Sequence, residues 1–144
     1  MSSLTKHYRI KEKDFNRAGE ASIQIQNLLK SMNINPKLVR RVAICGYEGE
    51  MNVVMHGGEG QMRLEIDEDK IILHITDNGP GIEDIEKALQ KGYSTASDEQ
   101  REMGFGAGMG LPNMQKNADE IIIDSGKGQG TRVQMIFSLS GEGG

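Results

Sequence analysis

Strand-like segments arrive in adjacent pairs in this chain, and that order restricts the fold more than any single residue does. QMRLEID (61–67) alternates apolar and polar side chains, as a half-buried strand does. KIILHIT (70–76) is richer in β-branched residues and reads as a more deeply buried strand. DEDK is the turn between them, so the two form a hairpin. DEIIIDSG (119–126) and TRVQMIFSL (131–139) repeat the arrangement around the turn GKGQG. A doubly wound parallel sheet separates successive strands by helices, so paired strands predict an α+β fold instead. The expected architecture is a two-layer sandwich, a mixed and mostly antiparallel sheet covered on one face by helices. HYRIKEK (7–13) alternates as well and predicts a short edge strand. No internal repeat is visible.

The helical layer is legible from periodicity. In FNRAGEASIQIQNLLKSM (15–32), Phe15, Ala18, Ala21, Ile25, Leu28 and Leu29 fall at helical spacing. After the turn NINP, with Pro36 suited to a first helical turn, a second helix is predicted from Lys37 to His56, stopping at Gly57-Gly58. IEDIEKALQK (82–91) predicts a third helix and LPNMQKNA (111–118) a fourth. Between those two, residues 92–108 are polar and rich in glycine and serine, and a loop of that length in a compact domain is usually functional. The final SGEGG (140–144) is expected to be disordered. With 144 residues, a single domain over 1–144 is expected.

Composition excludes some roles. A net charge of −4 gives no footing for nucleic acid. No apolar run approaches the roughly 20 residues of a membrane span, and MSSLTKHYRIKEK lacks the apolar core of a signal peptide. One cysteine, Cys45, forms no internal disulfide, and His7, His56 and His74 lie far apart without zinc-ligand spacing. A cytoplasmic setting fits these observations.

Three stretches carry chemistry. In GFGAGMGLPNMQK (104–116) glycines recur at every second position before a helix. Neither the Walker pattern GxxxxGK[ST] nor the dinucleotide pattern GxGxxG fits. Alternating glycines still let backbone N–H groups face an anion at a helix head, although the stretch alone reads equally well as a mobile loop ending in a helix cap. In the second helix, Glu48, Asn52 and His56 stand at i, i+4 and i+8 and share about 80° of arc, while Glu50 lies about 200° from Glu48 and should point away. Val42, Cys45, Gly49 and Val53 form a separate apolar face. An acid and an amide one turn apart suit a Mg²⁺-nucleotide site, the amide as cation ligand and the acid as base; a solvated polar face is the commoner meaning of such spacing. In ITDNGPGI (75–82) a buried strand ends at Asp77, whose carboxylate could accept a hydrogen bond from an exocyclic amine. Gly79 and Gly81 would let a flat ring approach the backbone; a simple Asx turn is the plainer reading.

Taken in order, ExxxN (48–52), DxGxG (77–81) and GxGxGL (106–111) resemble the Bergerat-fold (GHKL) ATP-binding superfamily, which includes histidine-kinase catalytic domains, gyrase B and MutL. Over roughly residues 8–139 the chain looks most like the small bacterial anti-sigma-factor serine kinases and their switch-kinase relatives. GYST (92–95) and GTRVQMIF (130–137) add to the resemblance. The resemblance implies ATP and Mg²⁺ as cofactors, Asn52 as the Mg²⁺ ligand and Glu48 as the general base. It also implies that Asp77 binds the adenine amine, that Gly79 and Gly81 line the base pocket and that Thr131 completes the adenine-side water network. Residues 92–107 would form an ATP lid with Gly104 and Gly106 in its hinge. Gly108, Met109, Gly110 and Leu111 would form the phosphate cradle.

The implied activity is transfer of the γ-phosphoryl group to a serine of a small STAS-domain partner, with a sigma factor as a further partner and homodimers as an assembly that relatives form. The alternative is a nucleotide-dependent anti-sigma or partner-switching module with little turnover. A detached histidine-kinase subunit would carry the same boxes. Two positions depart from the pattern. Gly106 stands where these kinases would carry an arginine, with Arg101 nearby in the lid, and His56 fits the family pattern only loosely.

Overall fold

A computed structural model describes residues 3–56, 58–79, 81, 110–126 and 128–139. The third helix expected over 82–91, the lid over 92–107, Gly104, Gly106, Gly108, Met109, Arg101 and the 140–144 tail lie outside the described residues. The described elements run β1 (Leu4–Lys11), α1 (Glu20–Ser31), α2 (Pro36–His56), β2 (Glu59–Ile66), β3 (Lys70–Asp77), α3 (Gly110–Asn117), β4 (Glu120–Ser125) and β5 (Thr131–Ser138). The five strands form one sheet in the order β1-β2-β3-β5-β4. Every pairing among them is antiparallel.

The two expected hairpins are present. At the first, Asp67 Oδ1 accepts from the N–H groups of Asp69 (2.8 Å) and Lys70 (2.9 Å) and closes the turn. The second hairpin inserts with β5 beside β3, so Asp77 faces Thr131 across the ladder. This sets two segments that are 54 positions apart at one end of the sheet.

α2 begins one residue earlier than expected. Asn35 Oδ1 accepts from Lys37 N–H at 2.9 Å, a side-chain cap ahead of Pro36. α1 departs further, because it begins at Glu20 and not near Phe15. Residues 12–19 instead run through turns as the chain leaves the sheet edge, with Lys13 N–H donating to the Val54 carbonyl at 2.5 Å. Phe15 and Ala18 still pack on the core from this turn segment. Their spacing mimicked helix because two core contacts three positions apart suit a turn as well. β1 likewise occupies 4–11 and not 7–13, on the edge as expected.

The core fills the space between one sheet face and the helices. Alternate residues of β3 (Ile71, Leu73, Ile75) and β5 (Val133, Met135, Phe137) meet Ile25 and Leu29 of α1 and Val42 and Val53 of α2 in one apolar cluster. At Gly49 α2 comes so close to β3 that a Cβ would run into Ile75 Cδ1. At Gly60 a Cβ would stand 2.6 Å from Val53 Cγ1. The C-terminal half of α2 therefore lies directly over the strand ends that carry Asp77.

Candidate functional site

α2 and α3 lie antiparallel along a shared seam, and three contacts fix their register. At the head of α3, a Cβ on Gly110 would stand 3.2 Å from Asn52 Oδ1. One turn back along α2, Asn113 Nδ2 donates to Glu48 Oε2 at 2.5 Å. At the far end, Arg41 Nε donates to the Asn117 carbonyl at 2.8 Å, and its Nη2 meets Asp119 Oδ1 at 2.8 Å. Arg41 also sits 5.9 Å from the Phe137 ring centroid. A cation at the last carbonyls of α3 favours the helix dipole as well as the ion pair. The seam is thus clamped at one end and meets at glycine on the other.

Glu48 and Asn52 share a face of α2, both half-buried, as their spacing predicted. Their partners come from α3. Leu111, Pro112 and Met114 bury the other side of that helix. A helix's opening N–H groups lack intrahelical partners as a rule, and Pro112 contributes no N–H at all. The donors at this helix head are therefore those of Gly110 and Leu111, beside the Asn52 amide. That is a fitting set for an anion with its hard cation. The side chain of His56, which shares the predicted face, lies outside the described residues.

The second cluster forms at the end of β3. Asp77 Oδ1 accepts from Gly79 N–H at 3.0 Å, which is the Asx turn foreseen as the plain reading. Gly81 has φ 80° and Gly130 φ 73°. A Cβ on Gly81 would collide with the carbonyls of Gly126 and Gly130, and one on Gly130 with the Asp77 carbonyl. Both positions need left-handed backbone and no side chain, so the chain crossings beside Asp77 are made of bare backbone. Ser125 Oγ donates to the Gly130 carbonyl at 2.7 Å and lies 3.0 Å from Thr131 Oγ1. Asp77, Gly79, Gly81 and Thr131, picked out from separate stretches of sequence, come together here. The glycines here serve a close crossing of backbone segments, and the carboxylate of Asp77 and the hydroxyl of Thr131 stand beside it, a pair of groups that could meet the exocyclic amine of a heterocycle.

Three residues escaped the sequence reading. Asn113 holds Glu48, and its only sequence signal was a poor helix former inside a short helix. Ser125 holds Thr131 and gave no signal. Glu50 was expected only to point away from Glu48. It is 3% exposed, and its carboxylate accepts from Gly19 N–H (3.0 Å), Ala21 N–H (3.3 Å), Ser22 N–H (3.0 Å) and Ser22 Oγ (2.7 Å). It caps α1 from a different helix, a job that α1 lacks a local residue to do because its own cap is Gly19. The signal was a charge placed between Gly46 and Val54, one turn away on either side of a packed face. Cys45 faces the core with Sγ 3.7 Å from the Met114 carbonyl, and burial pushes its thiol up to about 12, which leaves it inert.

Residues 48–141 match the family described as histidine kinase-, DNA gyrase B-, and HSP90-like ATPase. The chain is 39% identical over 93 residues to the anti-sigma F factor of Thermoanaerobacter sp. (strain X514), covering 61% of this chain and 62% of that protein. It spans a little under two thirds of the length of that relative. It is 32% identical over 115 residues to the serine/threonine-protein kinase RsbT of Bacillus subtilis (strain 168), covering 77% of this chain and 80% of the relative. Among solved structures, the mycobacterial sensor histidine kinase MprB superposes with a TM-score of 0.51 at 13% identity, over 94% of this chain and 97% of that one, a likeness of fold alone.

Proposed function

This chain belongs to the histidine kinase-, DNA gyrase B-, and HSP90-like ATPase family, and from that premise we propose that it is a Mg-ATP-dependent protein serine kinase of bacterial regulation, working in the cytoplasm on a small STAS-domain partner. The observation that carries this reading is the Glu48–Asn113 hydrogen bond standing one helical turn from the Asn52–Gly110 contact. A carboxylate fixed beside a helix head and an amide is what a hydroxyl acceptor needs from the protein, because phosphoryl transfer is mostly positioning and charge neutralisation.

Each residue then has a task. Asp77 and Thr131 accept and donate hydrogen bonds at the base, against the bare backbone of Gly79, Gly81 and Gly130. Asn52 would hold the Mg²⁺ through its amide oxygen. Gly110 and Leu111 would offer N–H groups to phosphate, and the resemblance would add Gly108 and Met109 to that cradle and give Gly104 and Gly106 the lid hinge. Bound Mg-ATP supplies the phosphoryl group. Glu48 takes the proton of the acceptor serine, and Asn113 keeps that carboxylate turned toward the seam. The whole of 1–144 acts as one domain, with homodimers and a sigma factor among its assemblies.

The test is phosphotransfer. The purified chain, γ-labelled ATP, Mg²⁺ and the STAS-domain protein encoded nearest to it should yield acid-stable label on the partner, and Glu48→Gln should reduce it at least about 100-fold. Equal labelling by the variant would remove Glu48 from the mechanism. A second reading rests on Gly106, which stands where the serine kinases it resembles carry arginine. It makes the chain a nucleotide-gated binding module, and ATP-dependent complex formation without label would favour it.

A further inference from the structure

The α2–α3 seam does not end at Glu48. Along it opens a groove of about 740 Å³ whose lining includes Gln26 of α1, Arg40, Ile44 and Tyr47 of α2, and Lys116 and Asn117 of α3, together with Glu48 and Asn113 themselves. The seam therefore has three stations in a line. Asn52 faces Gly110, then Glu48 faces Asn113, and then comes the groove. An in-line transfer places donor and acceptor on opposite sides of the moving group. With phosphate at the Gly110 station, the acceptor side is the groove.

The lining chooses the occupant. Glu48 is the only acidic residue among the groove's described lining. Arg40 and Lys116 are exposed on its two walls, and neither is in an ion pair among the described residues. Arg41, the neighbouring cation, is already committed to Asn117 and Asp119. Two exposed cations on a chain of net charge −4 form a local positive rim. Tyr47, 45% exposed, adds an aromatic surface of the kind that anchors protein contacts.

We infer that this groove docks the acceptor protein through an acidic segment, which lies between Arg40 and Lys116 and brings the acceptor serine to Glu48. The inference rests on the kinase reading for the serine and on the groove's own charge for the docking. Arg40 stands two turns from Glu48, about 12 Å along the helix. The acceptor should accordingly carry one or more carboxylates about that far from its serine.

The test reads binding, so that it stands apart from turnover. The affinity of the neighbouring STAS-domain protein is measured by calorimetry with a non-hydrolysable ATP analogue present, at low and at physiological salt. Arg40→Glu combined with Lys116→Glu should weaken the complex by about tenfold or more and flatten its salt dependence. Nucleotide affinity should remain unchanged in that variant. Arg132→Glu, a cation on the uncovered face of the sheet, serves as the control and should bind as wild type does. Wild-type affinity in the double variant, or an equal loss with Arg132→Glu, would overturn the docking site. A wild-type complex that forms through these two cations yet transfers no phosphate would overturn the kinase reading alone and leave the docking site standing.

Discussion

Glu48 and Glu50 are the same residue type two positions apart on one helix, and they live in opposite environments. Glu48 is half-buried at the α2–α3 seam, held by the Asn113 amide and open to a groove. Glu50 is 3% exposed and saturated by four donors from residues 19–22. A carboxylate with spare lone pairs beside a groove can accept a proton from another molecule. One whose oxygens are engaged by four donors has no room for another molecule, and serves instead to fix α1 against α2. A helix turns by about 100° per residue, so a step of two sends side chains to nearly opposite sides. On a helix packed on both flanks, that step separates chemistry from architecture.

The largest expected effect breaks the comparison at Glu48. Glu48→Gln keeps an oxygen for Asn113 and should lower phosphotransfer by about 10²–10⁴-fold, the usual worth of a general base. Its thermal midpoint should stay at the wild-type value, and calorimetry beside the kinase assay reads both. If stability fell as well, Glu48 would be architectural too.

Glu50→Ala comes next and should do the reverse. It leaves buried N–H groups at the head of α1 without an acceptor and should cost about 3 kcal/mol or more in urea unfolding. The folded fraction should keep its nucleotide affinity. A loss of less than about 1 kcal/mol would mean that water replaces the carboxylate.

Asn113→Ala sharpens the contrast from the partner's side. It frees the Glu48 carboxylate and should reduce the rate constant of transfer by about tenfold, near the worth of one charge-assisted hydrogen bond. The Michaelis constant for ATP should not move, because Asn113 touches Glu48 and not the Gly110 station. Asn113→Asp, which sets a second carboxylate against the first, should be worse than alanine.

The smallest effect lies at the clamp that closes the seam. The Ser138 N–H, and behind it Arg41, hold the Asp119 carboxyl below the usual carboxylate range, against an opposing push from partial burial. A folded value below the unfolded one of about 3.9 means that the contribution is full above that pH and is lost as pH falls through the folded value. Asp119→Asn should therefore cost about 0.5 kcal/mol at neutral pH, as exposed ion pairs do. The gap from wild type should close in acid. Thermal melts at pH 7 and below pH 3 check the sign, and a gap that widened in acid would refute it.

Much of this was legible before the fold was seen. The shared face of Glu48 and Asn52 follows from helical period alone. The two hairpins follow from alternation and short turns, and α2 follows to within one residue at its start and to its end at His56. These features depend on neighbours within a turn or two, so the local sequence holds all the information needed. The start of α1 was misplaced for the same reason in reverse. Phe15 and Ala18 show the apolar spacing of a helix, but what starts the helix is the Glu50 carboxylate, supplied from about thirty positions away.

By itself, then, the sequence determined the order of the described elements, the faces of α2 and the residue types gathered in three boxes. The tertiary structure decided what those residues meet. It placed β5 beside β3, so that Thr131 faces Asp77. It laid α3 antiparallel on α2, so that Asn113, 65 positions downstream, reaches Glu48. It also left Arg40 and Lys116 facing one groove while Arg41 became part of a clamp. Periodicity is set by backbone geometry, which repeats in every chain, whereas such partnerships depend on how whole surfaces bury together. That burial is a property of the assembled core and of no single stretch within it.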